Sequence, residues 1–204
     1  MQGSGKGTVG KKIAEKYNLK VFETGEELRK LANQDSPLGQ KVKTIIEAGH
    51  LVPNEIVMEI VEVFMSNLEK GKNILFDGIP RKIEQANSLN ELLKKHGRTY
   101  KAVILDITEE TALRRLTTRK ICKSCKEVYP AKYTKSLCEK CGGELIQRND
   151  DVPQAIKTRI ETFKNETLPA IKIYKENLIH VNGEPTIDEV AELAAKKLNP
   201  IFKN

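Results

Sequence analysis

Apolar residues recur along the chain at two alternating spacings. Positions three or four residues apart predict amphipathic helices, and short runs of adjacent apolar residues predict buried strands. The helical spacing covers residues 8–17, 37–48, 53–70, 83–95, 108–119, 152–175 and 186–198. The apolar runs cover residues 19–22, 73–76, 100–107 and 178–182. This alternation predicts an α/β fold with a parallel sheet flanked by helices.

Threonines and glycines mark several of the predicted helix ends. Thr24 is followed three residues later by Glu27, and Thr186 by Glu189. Both pairs predict a capping box, in which the threonine side chain closes the start of a helix. Gly71 predicts the end of the helix that begins at residue 53, because glycine readily adopts the left-handed conformation found after helix ends.

The chain begins with a glycine-rich loop, Gln2-Gly3-Ser4-Gly5-Lys6-Gly7-Thr8. Glycines let successive N–H groups point into one concave nest that suits phosphate oxygens, and the following helix adds the positive end of its dipole. Lys6 would reach the outer phosphates. Taken alone, the stretch could also be a flexible tail. Such a loop normally follows a buried strand, so we expect a fifth strand just before residue 1, encoded upstream of Met1.

An aspartate ends the second predicted strand. Asp77 directly follows the apolar residues 73–76, and ligand chemistry in α/β sheets lies at the carboxyl edge of the strands. In a protein with a phosphate loop, this carboxylate would hold magnesium directly or through water. The alternative is an aspartate that only ends the strand.

Four cysteines, Cys122, Cys125, Cys138 and Cys141, form two Cys-x-x-Cys pairs. The spacing predicts a closed structural zinc site rather than disulfides, although four thiolates also admit iron. The surrounding residues, 121–147, interrupt the α/β alternation and are predicted to form a small inserted domain.

Composition and charge restrict the class of protein. The 204 residues are 39% hydrophobic and 31% charged, which suits one globular domain with inserts. No apolar run approaches the ~18 residues of a membrane span. The net charge of +7 fits nucleic acid, an anionic surface or small polyanionic substrates. The lysines are spread among glutamates, which favours a solvated surface for most of them.

The motifs, taken in order, closely resemble adenylate kinases of the long-lid, zinc-binding form over essentially the whole chain. They are the loop 2–8, Thr24-Gly25-x-x-Leu28-Arg29, Gly49-x-Leu51-Val52-Pro53, Asp77-Gly78-Ile79-Pro80-Arg81, Gln85, Arg115, Arg119, the cysteine pairs, Arg148-x-Asp150-Asp151 and Arg159. The resemblance implies reversible phosphoryl transfer from Mg-ATP to AMP, giving two ADP. It also implies that the missing strand lies in the middle of the sheet, so that its loss exposes two strand edges.

The resemblance assigns site residues one by one. The residues implied to bind ATP are Gly3, Ser4, Gly5, Lys6, Gly7, Thr8, Arg115, Arg119, Val128 and Tyr129. Those implied to bind AMP are Thr24, Arg29, His50, Leu51, Val52, Gly78, Arg81, Gln85, Arg148 and Arg159. Those implied to act in catalysis are Lys6, Asp77, Arg81, Arg119, Arg148 and Arg159. The implied ligands of a structural Zn²⁺ are the four cysteines.

The same resemblance divides the chain into units. Residues 1–22, 53–118 and 152–204 are the core, residues 23–52 the nucleoside monophosphate-binding segment, and residues 119–151 the zinc-binding lid. The implied protein is a cytoplasmic monomer that binds small nucleotides with Mg²⁺, and neither nucleic acid nor membrane. Three alternatives stay open: a pyrimidine nucleoside monophosphate kinase, a zinc-ribbon protein that binds nucleic acid, and an inactive truncated paralogue. Thr24, Gln85 and the cysteine-bearing lid favour AMP over pyrimidine acceptors.

Overall fold

Helices and strands alternate along the chain in the computed structural model, which describes residues 1–130 and 132–202. The strands are β1 (Lys20–Glu23), β2 (Ile74–Asp77), β3 (Ala102–Asp106), β4 (Lys120–Cys122), β5 (Val128–Tyr129), β6 (Leu145–Ile146) and β7 (Leu178–Asn182). The helices are α1 (Lys6–Tyr17), α2 (Thr24–Ala32), α3 (Pro37–Glu47), α4 (Asn54–Ser66), α5 (Ile83–Lys95), α6 (Glu109–Thr118), α7 (Pro153–Thr162), α8 (Leu168–Lys172) and α9 (Ile187–Phe202). A π-helical turn, Phe163–Thr167, joins α7 to α8.

The core strands form two parallel pairs. β1 pairs with β2, so that Phe22 lies beside Phe76, and β3 pairs with β7, so that Leu105 lies beside Val181. Within residues 1–130 and 132–202, no strand joins β2 to β3. The predicted parallel α/β arrangement is therefore confirmed, with the sheet divided into two halves at its middle.

Two apolar clusters hold the core together. One gathers Phe22 with Val42 and Val61, and it joins β1 and β2 to helices α2 to α5. The other lies between α1 and α9, and both halves of the sheet contribute to it. Leu75 of β2 and Leu105 of β3 pack against this second cluster. This second cluster thus holds the two halves together, although no backbone pairing joins them within the described residues.

Several predicted helix boundaries are wrong, including that of α9, which ends at Phe202 and not at residue 198, and one capping box is confirmed. Helix α4 ends at Ser66, four residues before the predicted end, and the Asn67 side chain donates to the Val63 carbonyl at 3.0 Å. This amide satisfies a carbonyl at the helix end, so Gly71 is not needed there. Helix α2 begins at Thr24 itself and has no side-chain cap. At α9, Glu189 Oε2 accepts from the Thr186 backbone N–H at 2.9 Å, as predicted.

The cysteine-bearing insert is a small antiparallel sheet. β4 is its central strand and pairs with β5 on one side and with β6 on the other. The insert begins where α6 ends and leads back to the core at α7. In the part of the chain that the structure describes, no helix has the length and apolar character needed to cross a membrane.

Candidate functional site

The glycine-rich loop precedes α1 in a conformation that only glycine adopts readily. Gly3 and Gly5 have φ angles of +79° and +82°, in the left-handed region that other residues disfavour. A Cβ atom on Gly3 would lie 2.8 Å from the Ala112 carbonyl oxygen. α1 begins at Lys6 with no acidic residue in its first turn and no side-chain cap. Its first N–H groups are therefore available to an anion.

This loop forms one wall of an open cleft with about 900 Å³ of space free of protein atoms. The lining residues come from the loop, α2, the loops after α3 and β2, and the lid. Six of their side chains are cationic, namely Lys6, Arg29, Arg81, Arg119, Arg148 and Arg159. Three carboxylates oppose them, from Glu23, Asp77 and Asp150. The cleft is thus positively charged and complementary to an anion that carries several charges.

Lys6 and Asp77 face each other where α1 begins and β2 ends. Their Nζ and Oδ1 atoms are 4.0 Å apart. Loss of solvent around Lys6, reinforced by Arg81 and opposed by Asp77, lowers the lysine's pKa to about 8. Asp77 is buried, and its Oδ1 has no hydrogen-bond partner in the described chain. A buried carboxylate oxygen without a partner fits a Mg²⁺ ion or its bound water.

Asp151 ties two of the cleft arginines together. Its side chain is fully buried, and its Oδ1 and Oδ2 accept from Arg119 at 2.7 and 2.5 Å. Arg159 Nη1 donates to the same Oδ1 at 3.0 Å and to the Asp150 carbonyl at 3.0 Å. One carboxylate therefore fixes both guanidinium groups, which leaves their remaining N–H groups for a ligand.

Asp150 and Arg148 form a second pair beside this one, with Nε and Oδ1 3.2 Å apart. Desolvation, with the nearby Arg119 charge, lowers the pKa of Arg148 to about 10. Burial alone would raise the pKa of Asp150, but Arg148 and Arg159 together hold it below its usual value. Crowding of guanidinium groups in a desolvated cleft favours the binding of an anion that separates them.

The opposite wall is built around Arg81. Its Nε donates to the Gly78 carbonyl at 2.8 Å, and its backbone N–H donates to Gln85 Oε1 at 2.8 Å. Thr167 donates its hydroxyl to the Arg81 carbonyl at 3.0 Å. Burial, with the Arg159 charge, lowers the pKa of Arg81. These contacts hold the Arg81 side chain in one orientation at the cleft.

The remaining cleft residues lie on the helical segment after β1. Thr24 is buried, and its Oγ1 has no hydrogen-bond partner among the described residues. This explains the missing cap at α2, because the hydroxyl belongs to the cleft wall and not to the helix start. Arg29 Nη2 lies 3.3 Å from Glu23 Oε1. The stretch His50, Leu51 and Val52 completes this side.

The four cysteine sulfur atoms converge in the lid, all within 4.8 Å of one another. Cys122 and Cys141 are 3.4 Å apart, and Cys125 and Cys138 are 3.5 Å apart. A tetrahedral zinc with bonds of about 2.3 Å places its sulfur ligands about 3.8 Å from each other. The cluster therefore fits a closed tetrahedral metal site with no position left for a substrate.

Most of the sequence-predicted residues meet in the cleft, and some do not. Gly3 and Lys6 line it, whereas Ser4, Gly5, Gly7 and Thr8 form the rest of the loop and the first turn of α1. Arg115 lies outside it and donates to the Gly183 and Glu184 carbonyls, both at 2.9 Å. Val128 is on the lid surface, and Tyr129 is buried beside the cysteines. An ATP contact for these three residues stays a prediction.

Sequence reasoning gave no role to three residues at the site. Asp150 and Asp151 anchor the arginines, and the Arg-x-Asp-Asp pattern was the available signal. Gln2 lines the cleft and is almost completely buried. Its place in the glycine-rich loop was the only signal in the sequence.

Comparison with known proteins identifies the family to which this cleft and cysteine cluster belong. A family model described as adenylate kinase matches residues 1–179. The adenylate kinase of Kosmotoga olearia is 39% identical over 99% of this chain and 94% of its own length. The adenylate kinases of Clostridium tetani and Methanocella arvoryzae are 35% and 37% identical, over 98% and 92% of this chain and 95% and 90% of their own lengths. The chain therefore belongs to the adenylate kinase family.

Proposed function

We propose that this chain transfers the terminal phosphoryl group of Mg-ATP to AMP in the cationic cleft, giving two ADP. The observation that carries the proposal is the convergence of six cationic side chains on the glycine-rich loop at the start of α1. Phosphoryl transfer needs in-line positioning and neutralisation of the charge on the moving group, and little covalent help from the protein. Arginines suit this task because they stay charged and bind phosphate through two N–H groups.

The donor side of the cleft is the loop with Lys6 and Asp77. The free N–H groups at the start of α1 would hold the phosphates of ATP, and Lys6 would neutralise the charge on the outer ones. Asp77 is the residue that would hold Mg²⁺, since its Oδ1 accepts no hydrogen bond from the residues that the structure describes. Bound magnesium supplies charge neutralisation on the ATP phosphates.

The acceptor side is the wall around Arg81. Thr24 and Gln85 offer polar groups for the base of AMP, and His50, Leu51 and Val52 border the same space. Arg29 and Arg81 would bind the acceptor phosphate. Arg119, Arg148 and Arg159 line the same cleft and would stabilise the group in transit. The segments proposed to move over the nucleotides are residues 23–52 and residues 119–151.

Structural zinc would keep the lid folded. Its three short strands bury few apolar side chains, and the four sulfur atoms lie at its centre. A small domain with so little core commonly needs a metal ion to stay folded. The family resemblance supports a cytoplasmic monomer that acts on free nucleotides. Sedimentation of the zinc-loaded protein, with and without a polynucleotide, tests the monomeric state and the expectation that the protein does not bind nucleic acid.

The decisive experiment compares Lys6→Met with Lys11→Met, a matched substitution of an exposed lysine on the same helix. With Mg-ATP and AMP, Lys6→Met is expected to lower kcat by about 100-fold or more, because the charge acts on the transition state. Lys11→Met should leave kcat unchanged. Equal turnover of the two variants would refute the role of the cleft.

The acceptor is tested by offering AMP, CMP, UMP and GMP in turn with Mg-ATP. Thr24 and Gln85 support a preference for AMP, so the ADP formed should come from AMP alone. Faster turnover with CMP or UMP would favour a pyrimidine nucleoside monophosphate kinase. Binding of polynucleotide that weakens steeply with salt would instead favour the nucleic-acid alternative.

A further inference from the structure

Gln2 is a buried polar side chain in the wall of the nucleotide cleft. It directly precedes Gly3 of the phosphate loop and is 6% exposed. It lines the same cleft as Lys6, Asp77 and Arg81. It therefore lies in the cleft that holds the groups proposed to surround the phosphates, next in sequence to the phosphate-loop glycine Gly3.

The side chain of Gln2 lacks a protein partner for its oxygen. Among the described residues, Gln2 Oε1 is buried and accepts no hydrogen bond. Buried polar atoms are nearly always paired, because leaving one unpaired is unfavourable by about 1–3 kcal/mol. Two other unpaired oxygens line this cleft, Thr24 Oγ1 and Asp77 Oδ1. This clustering indicates groups whose partners arrive with a ligand.

The chemistry of an amide matches a phosphate in this environment. A glutamine offers two N–H donors and one acceptor oxygen, and a half-turn of the amide exchanges them. The cations Lys6 and Arg81 attract phosphate to this part of the cleft, and phosphate oxygens accept hydrogen bonds. A neutral amide adds donors there without adding to the repulsion among the cations.

We propose that the Gln2 amide is a substrate contact that donates a hydrogen bond to the phosphoryl group undergoing transfer. The inference rests on the proposed function, since it places the moving phosphoryl group beside Lys6. Gln2 would be a neutral hydrogen-bond donor on the phosphate loop, in addition to the cationic side chains of the cleft.

The test compares Gln2→Glu and Gln2→Ala with Gln154→Glu, in which the glutamine is exposed on α7. Glutamate has nearly the shape of glutamine, but it lacks the donors and carries a negative charge. Losing a hydrogen bond to a charged group corresponds to about a 10- to 100-fold change. We expect kcat to fall about 10-fold in Gln2→Ala and about 100-fold in Gln2→Glu. Gln154→Glu should match the parent, and melting temperatures should stay close to the parental value.

A third variant, Gln2→Met, separates contact with phosphate from simple packing. Methionine has nearly the volume of glutamine, but it offers no N–H donor and adds no charge. Titration with Mg-ATP alone should therefore show weaker binding by Gln2→Met than by the parent. A role confined to packing would leave the kcat and the ATP affinity of Gln2→Met at the parental values.

The outcomes separate the two proposals. If the parent binds Mg-ATP but does not phosphorylate AMP, the proposed function fails, and weaker ATP binding by Gln2→Met still supports the contact. If the parent is active and Gln2→Ala and Gln2→Met keep its kcat and ATP affinity, the contact is refuted and the proposed function stands. Should Gln2→Glu not fold, the kcat of Gln2→Ala decides in the same way.

Discussion

The hydroxyl group of Tyr129 lies 3.1 Å from the sulfur atom of Cys138. The same hydroxyl oxygen accepts the Glu139 backbone N–H at 3.1 Å. With its oxygen engaged by that N–H, the hydroxyl can donate its own proton to the sulfur. A metal-bound thiolate accepts such a bond, and groups that contact metal ligands in this way orient them and tune the site. Tyr129 is therefore part of the support of the cysteine cluster.

Replacing Tyr129 with Phe should weaken the hold on zinc while keeping the aromatic ring. We expect zinc to be released to a chelator about 10-fold faster, in line with the usual effect of losing an outer-shell partner. The melting temperature should fall as well, because metal binding contributes to folding of the lid. Both quantities are measured on the zinc-loaded protein, with a chelator dye and by calorimetry.

Tyr133→Phe is the matched control for that substitution. Tyr133 packs against Tyr129, but its hydroxyl donates to the Leu137 carbonyl at 2.8 Å rather than to a sulfur. Its loss should leave zinc release close to the parental rate. If both variants release zinc at one rate, the Tyr129 bond has no special effect on the metal site.

Asp151→Asn should destabilise the protein and disable the arginine pair that it holds. The buried carboxylate is the shared partner of Arg119 and Arg159, and the variant leaves two partly buried guanidinium groups facing a neutral amide. Breaking a buried pair of this kind lowers the free energy of unfolding by about 3–5 kcal/mol. Urea unfolding measures this, and turnover should fall in parallel.

Asp188→Asn provides the comparison, because Asp188 lies 3.0 Å from Lys12 in a pair that is largely exposed. Solvent screens exposed ion pairs strongly, so the loss of stability on this change should be small. A loss of stability as small for Asp151→Asn as for Asp188→Asn would mean that the cleft arginines do not depend on the buried carboxylate.

Turnover should depend on pH through Lys6. Its pKa is lowered to about 8, chiefly by loss of solvent, so the ammonium is present below that pH and is lost above it. Because kcat/KM reports the free enzyme, its value for ATP should fall as the pH rises through about 8. Bound phosphates favour the ammonium, so the same fall in kcat should occur at a higher pH.

Lys6→Arg separates this effect from other titrations. A guanidinium keeps its charge throughout the range, so the variant should be slower overall but should show no decline in kcat/KM above pH 8. A decline at the same pH in both proteins would assign the titration to another group.

Local patterns predicted much of this molecule. The predicted bounds of α5 and β7 agree with the structure, since their apolar spacing is regular and turn residues flank it. The glycine-rich loop and the cysteine pairs were also recognisable, because their chemistry depends on residues close together in sequence. The resemblance then named the arginines that the fold brings together across the cleft.

Features set by tertiary contacts could not be predicted in this way. The failure of the Thr24 hydroxyl to cap α2 and the contact of Tyr129 with Cys138 depend on neighbours that the fold brings close in space. Arg115 lies in the last turn of α6, and Arg119 follows the end of that helix four residues later. Arg115 nevertheless binds the loop after β7, whereas Arg119 binds Asp151. Sequence spacing gives both the same expectation.

The two halves of the core sheet provide the last prediction. The edges of β2 and β3 that do not face β1 and β7 have no strand partner within the described residues, and Leu75 and Leu105 reach one apolar cluster. Adding about five apolar, β-branched residues and a glycine ahead of Met1 should supply a strand that pairs with both edges. Each apolar side chain that becomes buried contributes about 1.5–3 kcal/mol, so the urea midpoint should rise clearly. Hydrogen exchange should also slow in β2 and β3, because their free edge groups become bonded.

A matched extension with proline at alternate positions cannot form this pairing and should leave both measurements at the parental values. Equal midpoints for the two extended chains would show that the space between β2 and β3 does not accept a strand.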